Sequence, residues 1–210
     1  MKPPGKNEWV CIEEKSVFDS PFVKLIERHC RSSEDATREY RFYVMRSRDW
    51  CNVIPVTEDG KVVLVKQYRI GSATHTLEVP GGVMDPADGT VEAAAQRELE
   101  EETGYTLLPG ARWIRLASPL ANPAIQNNRC TSLIVGPVKR TVTQNLDPGE
   151  MIEIVEMPID EMPERLQNGE LDHALMWNGF FQLMLRQKSG RDLLRRELEL
   201  FTRGELPNHQ

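Results

Sequence analysis

The chain has 210 residues, 40% hydrophobic and 28% charged, a balance that fills a substantial core in a globular domain. A formal net charge of -6, with no Lys/Arg cluster and no aromatic-interleaved basic stripe, argues against a nucleic-acid binder. No stretch is long and apolar enough to span a bilayer, the first residues lack the apolar run of a signal peptide, and Cys11, Cys30, Cys51 and Cys130 form no CxxC, so the expectation is a cytoplasmic protein with reduced thiols and no membrane partner.

In chain order, alternation predicts strands at residues 9–14, 23–29 and 39–45, a small antiparallel unit with a polar turn over 31–37. A hairpin follows. Residues 53–57 and the apolar run Val62-Val63-Leu64-Val65 flank Glu58-Asp59-Gly60, and Asp-Gly between apolar strands is a strong turn signal. Gln67-Tyr68-Arg69 ends the second of these strands.

Residues 77–79 form a short apolar strand that enters Pro80-Gly81-Gly82, a loop whose missing side chains let backbone groups approach a ligand. After the turn-rich stretch 85–89, residues 90–103 are predicted as a helix, with Thr90 as N-cap and Gly104 as C-terminal cap. A turn of ~100° per residue puts Val91, Ala94, Ala95 and Leu99 on one apolar side. Glu98 and Glu102 fall in the middle of that stripe, Glu101 flanks it, and Glu92, Gln96 and Glu100 face away. Buried carboxylates need a compensating cation, and the dipole disfavours negative charge in a helix's last turn. A divalent metal relieves both. A solvated acidic face explains Glu92 and Glu100 well and Glu98 and Glu102 poorly.

Further strands are predicted at 113–117, 131–135 and 151–157, and helices at 160–168, closed by Gly169, and at 172–187. An amphipathic helix at 191–202 carries Leu193, Leu194, Leu198 and Phe201. A lone Trp stacks on a nucleobase less often than it fills a core or an interface, so Trp9, Trp50, Trp113 and Trp177 are read as core or interface. His75 and His173 have no metal-ligand spacing and are read as satisfied structural histidines; Asn127-Asn128 turns the chain or touches substrate.

The run Arg97-Glu98-Leu99-Glu100-Glu101-Glu102-Thr103-Gly104-Tyr105, behind its glycine loop, resembles the signature of the Nudix hydrolases: Gly, five residues, Glu, seven residues, then Arg-Glu-apolar-any-Glu-Glu-any-Gly-apolar. The second half is complete. Counted from Gly82 the loop is one residue longer than the pattern, so the signature's first Glu falls on Gly89, or on Asp88 if the extra residue lies after it. Gln67-Tyr68-Arg69 and Glu78 resemble the ADP-ribose pyrophosphatase and nucleoside diphosphate sugar branch. Asp147-Pro148-Gly149-Glu150 is similar to that branch's loop glutamate ahead of an alternating strand. The resemblance spans about residues 50–185.

The resemblance implies an α/β fold: a Nudix-type α/β/α sandwich with a mixed sheet, preceded by a small antiparallel β unit. It divides the chain into an N-terminal strand unit at 1–48 expected to dimerise, a hydrolase domain at 49–190, and a helix and tail at 191–210. The implied reaction is Mg²⁺-dependent hydrolysis of the diphosphate bond of ADP-ribose or a related nucleoside diphosphate sugar, with Mn²⁺ able to substitute, in a homodimer. Glu98, Glu102, Glu150 and the Gly81 carbonyl form the implied metal set, and Glu101 is a further ligand or the base. Arg69, Glu78 and Val83 meet substrate, and Arg97 orients the carboxylates. Some relatives carry an acid where Pro148 stands, which leaves Asp147 and Glu101 as candidate bases. The alternatives are another nucleoside diphosphate derivative, such as GDP-mannose or a dinucleotide, and a non-catalytic ADP-ribose sensor, which the intact Glu98, Glu101 and Glu102 oppose.

Overall fold

Strand alternation builds two separate sheets in the computed structural model, which describes residues 5–203. Strands β1 (Trp9–Asp19), β2 (Lys24–Ser32) and β3 (Glu39–Arg46) form an antiparallel sheet in that order. Its first strand runs past its predicted end because β2 pairs along its length, with bulges absorbing two register shifts. One face of this sheet sets Trp9 edge-on against Phe42 and buries Ile26 and Cys30.

The second sheet holds β4 (Trp50–Thr57), β5 (Lys61–Arg69), β6 (Thr74–Glu78), β7 (Gly81–Val83), β8 (Tyr105–Ala117), β9 (Cys130–Arg140) and β10 (Ile152–Pro158). The order is β10-β5-β4-β9-β8, with β6 added to β5 and β7 to β4. Only β4 and β9 run parallel, so the sheet is mixed. Period-two patterning assigns its faces. Cys51, Val53 and Val63 pack with Val91, Ala94, Ala95 and Leu99 of α1 (Val91–Thr103). Ile54, Val62 and Leu64 point the other way, onto Met162 of α2 (Met162–Gln167) and Met176 and Phe180 of α3 (Ala174–Arg186). A last helix, α4, covers Lys188–Arg203. The result is an α/β/α sandwich with a mixed sheet, beside a small antiparallel sheet, as the resemblance implied. Leu99 and Leu133 are fully buried in the α1 layer, and truncating a side chain so placed costs about 2–5 kcal/mol. That layer fixes the position of α1.

Several boundaries differ from the sequence reading. The glycine loop is itself a strand: Gly81, Gly82 and Val83 pair with Asn52, Cys51 and Trp50 of β4. β8 starts at Tyr105, well ahead of the predicted 113, because Pro109-Gly110 interrupts the alternation; its register with β9 shifts between Leu107 and Arg112. The helix predicted at 160–168 opens as a 3-10 turn, Ile159–Glu161, before α2 begins with a proline in its first turn. The apolar stripe expected from Leu193, Leu194, Leu198 and Phe201 concerns side chains outside the described residues, as do the readings of the first four residues and the tail from 204.

Candidate active site

Two caps set the rotation of α1. Thr90 Oγ1 accepts from the Ala93 N–H at 3.1 Å, and Gly104 closes the helix in the left-handed region at φ 71°, returning its N–H to the Glu100 carbonyl. With the helix so placed, Val91, Ala94, Ala95, Leu99, Glu98 and Glu102 are all on the buried side. The two carboxylates are 8% and 3% exposed. Glu102 Oε2 accepts one hydrogen bond, 2.9 Å from the Gly81 N–H. Glu98 lies against the next residue: a Cβ on Gly82 would stand 2.6 Å from Glu98 Oε1, so no larger residue fits without moving the carboxylate.

Arg97 is the hub of the helix's partly exposed flank. Its Nε and Nη2 hold Asp88 at 2.9 and 3.1 Å, and its Nη1 reaches Glu98 and Glu101, both at 2.9 Å. Asp88 ends the 3-10 turn Pro86–Asp88, where its Oδ2 also accepts from the Asp85 N–H at 2.7 Å. Of the two positions open for the signature's first acid, Asp88 is the one at Arg97; Gly89 has no side chain to offer. Three carboxylates thus gather around one guanidinium, and Glu102 has no ion pair among the described residues.

Charge and burial set the protonation. Burial raises the Glu98 pKa, with Arg97 opposing it. Burial raises that of Glu102 well above the usual carboxylate range, opposed by the Gly81 N–H and reinforced by Glu98 and Glu150. The Glu150 charge acts on Glu98, Glu102 and Arg69 together, so its loop faces the same space. Among the described residues, no three acidic, His or Cys side chains close on a single point. Glu98 and Glu101 are turned onto Arg97, Glu102 onto the Gly81 amide, and Glu150 Oε2 onto the Asp147 N–H at 3.0 Å.

Beside β7 lies a cavity of about 450 Å³ whose lining includes Gly81, Gly82, Val83, Trp50, Arg69 and His173. Arg69 grips Glu78 through two bonds of 2.7 Å. Burial alone would raise the fully buried Glu78, but Arg69, with His173 and Thr76, holds its carboxyl well below the usual range. The sequence reading missed two features here. His173, read as a satisfied structural histidine, brings Nδ1 to 3.2 Å from Glu78 Oε2 without the alignment of a hydrogen bond, and its ring lines the cavity. Trp50, read as core or interface, lines it too. Neither residue had a local signal, since β4, β6 and the start of α3 meet only in the fold. Glu153 is exposed on β10.

Comparison with known proteins gives the family and the fold. Residues 46–177 match the family model described as the NUDIX domain. An ADP-sugar pyrophosphatase from Mus musculus is 30% identical over 186 residues, which is 78% of this chain and 78% of that protein. An ADP-ribose pyrophosphatase from Bacillus subtilis is 30% identical over 124 residues, 58% of this chain and 64% of that one. A crystal structure of an ADP compounds hydrolase superposes with a TM-score of 0.75 at 19% identity, covering 89% of this chain and 97% of the other; that likeness shows the fold alone. A strand of two glycines laid against inward-facing glutamates, with the family match over residues 46–177, makes this chain a member of the Nudix hydrolase family.

Proposed function

We propose that the protein hydrolyses the diphosphate bond of ADP-ribose or a related nucleoside diphosphate sugar, releasing a nucleoside monophosphate and a sugar phosphate, with Mg²⁺ as cofactor. One observation carries this reading. Two buried glutamates with too little positive charge stand behind the glycine strand, and the same strand walls a cavity that holds an arginine. The named activities of the mouse and Bacillus subtilis relatives support the substrate class.

The donor set fits a hard divalent ion: carboxylate oxygens, a main-chain carbonyl and no sulfur or imidazole. Glu98, Glu102, Glu150 and the Gly81 carbonyl would hold it, and Mn²⁺ would substitute. When bound, such an ion neutralises diphosphate charge and makes a water more acidic. The protein's own groups do the rest. Arg97 orients Glu98 and Glu101. Glu101, more exposed than Glu98 and Glu102 with its side chain 38% accessible, takes the proton of the attacking water. Arg69, fixed by Glu78, meets phosphate oxygens, and the backbone at Val83 lines the approach. Glu78 thereby shapes the substrate site through Arg69.

We further assign residues 1–48 to pairing two copies into a homodimer, residues 49–190 to the hydrolase domain and 191–210 to a terminal helix and tail, in a cytoplasmic enzyme. Large side chains exposed on the small sheet, among them Trp9, Phe18, Tyr40 and Tyr43, support the pairing. The direct test is a panel of nucleoside diphosphate sugars incubated with Mg²⁺ or Mn²⁺, coupled to a phosphatase that frees phosphate from the products. Turnover that needs the ion and disappears in Glu102→Gln is the expected result. Metal-independent ADP-ribose binding without turnover would replace this reading with a sensor.

A further inference from the structure

An α-helix ends with carbonyls that have no partner inside the helix, and something else must satisfy them. For α1 that partner is the connection between β9 and β10. The Thr141 and Val142 N–H groups donate to the Gly104 carbonyl at 3.0 and 3.2 Å, and the Asn145 N–H donates to the Glu101 carbonyl at 2.8 Å. One side chain in the connection does something the backbone does not. Gln144 Nε2 donates to the Glu102 carbonyl at 2.7 Å and to the Ile152 carbonyl at 3.4 Å. Glu102 carries the buried carboxylate, and Ile152 opens β10 just after Glu150.

The stretch between these anchors has little freedom of its own. The Glu150 N–H donates to the Asp147 carbonyl at 2.9 Å, and the Asp147 N–H donates to Glu150 Oε2 at 3.0 Å. The loop is a small closed turn hung between Gln144 and β10. A single amide group that binds the main chain at Glu102 and at Ile152 therefore sets how far the turn stands from the helix. Thr141, Val142 and Asn145 secure the helix end without Gln144, whereas only Gln144 also reaches β10 among the connection's side-chain bonds.

We propose that Gln144 is a positioning residue that holds the Glu150 turn at its working distance from Glu98 and Glu102, and so sets the affinity of the site for a divalent ion. This rests on the metal reading given above. Supports of this kind commonly change metal affinity by about 10- to 100-fold when removed. A residue that merely capped the helix would move the stability of the metal-free protein and leave ion binding unchanged.

The test is a titration of metal-free protein with Mn²⁺, reading free Mn²⁺ by electron paramagnetic resonance, next to thermal unfolding without metal. Gln144→Met keeps the length of the side chain and removes both donors. It should weaken Mn²⁺ binding about 10-fold relative to wild type. If Gln144→Met does not fold, Gln144→Asn, which keeps the donor but is one methylene too short to span both carbonyls, goes through the same titration with the same expectation. Unchanged Mn²⁺ affinity with only a lower unfolding temperature overturns the proposal while the metal reading stands. A wild-type protein that binds no Mn²⁺ removes the metal reading itself, and this inference with it.

Discussion

Exchanging Glu102 for Gln should make the metal-free protein more stable while stopping turnover. The carboxylate is 3% exposed, and its partner is the Gly81 N–H. Burial, reinforced by Glu98 and Glu150, holds its pKa well above the usual range in spite of the Gly81 N–H and Arg69. A buried ion costs several kcal/mol even after the protein relaxes. Gln keeps an acceptor for Gly81 but brings an amide NH₂ whose incomplete pairing costs about 1–3 kcal/mol. The expected net gain near neutral pH is about 1–2 kcal/mol, and for a chain of this size each kcal/mol raises the unfolding temperature by about 2–4 °C. The sign of the pH dependence follows from the raised pKa. The native state holds this proton more tightly than the unfolded chain, so protonation contributes stability that is complete below the unfolded carboxylate pKa and is lost as pH rises through the native value. The advantage of the variant should open across that window and close in acid. Added Mg²⁺ should reverse the ranking, since only the wild type keeps its full ligand set, and turnover should fall by about 100-fold or more. Calorimetry from about pH 4 to pH 8, with and without Mg²⁺, reads all of this. A variant less stable than wild type at neutral pH without metal, or one with wild-type turnover, refutes the reasoning.

Glu78→Gln leaves the Arg69 guanidinium without its charged partner and should cost about 1–3 kcal/mol, the lower part of the range for a broken buried pair because the Arg69 side chain is 44% exposed. Since Arg69 holds Glu78 below its ordinary pKa, that stability is present above the unfolded carboxylate value and lost as pH falls through the native one; urea unfolding at neutral and acid pH should show the difference shrinking in acid, and equal midpoints at neutral pH would count against the pairing. Asp88→Asn removes the charge opposite Arg97 and should lower kcat about 10-fold with little change in KM, the pattern expected when an orienting group rather than a substrate contact is weakened. Glu101→Gln should lower kcat and leave Mn²⁺ affinity within about twofold of wild type if Glu101 is the base; a loss of Mn²⁺ binding instead makes it a ligand.

The strongest part of the site was readable because its signal was local. The stripe of Val91, Ala94, Ala95 and Leu99, with Thr90 and Gly104 as ends, fixed the rotation of α1, and the rotation turned Glu98 and Glu102 inward. Counting along the glycine loop could not choose between Asp88 and Gly89, because a string of residues does not show the 3-10 turn that folds Asp88 back to Arg97. The grip of Arg69 on Glu78 was hidden for a related reason: it joins two strands, β5 and β6, whose pairing periodicity does not reveal. His173 joins that pair from the start of α3, and the brace from Gln144 lies in a connection with no repeating pattern at all. The first half of β8 was missed because Pro109-Gly110 breaks its alternation, although its pairing with β9 continues on both sides of the break.

Crystals soaked with Mn²⁺ and a non-hydrolysable nucleoside diphosphate sugar, recorded at a wavelength where manganese scatters anomalously, give the most direct measurement. The account predicts anomalous peaks between Glu98, Glu102, Glu150 and the Gly81 carbonyl, with the diphosphate against them and Arg69 on its oxygens. Peaks elsewhere, or carboxylates that remain on Arg97 and the Gly81 amide while the ligand is bound, would contradict it.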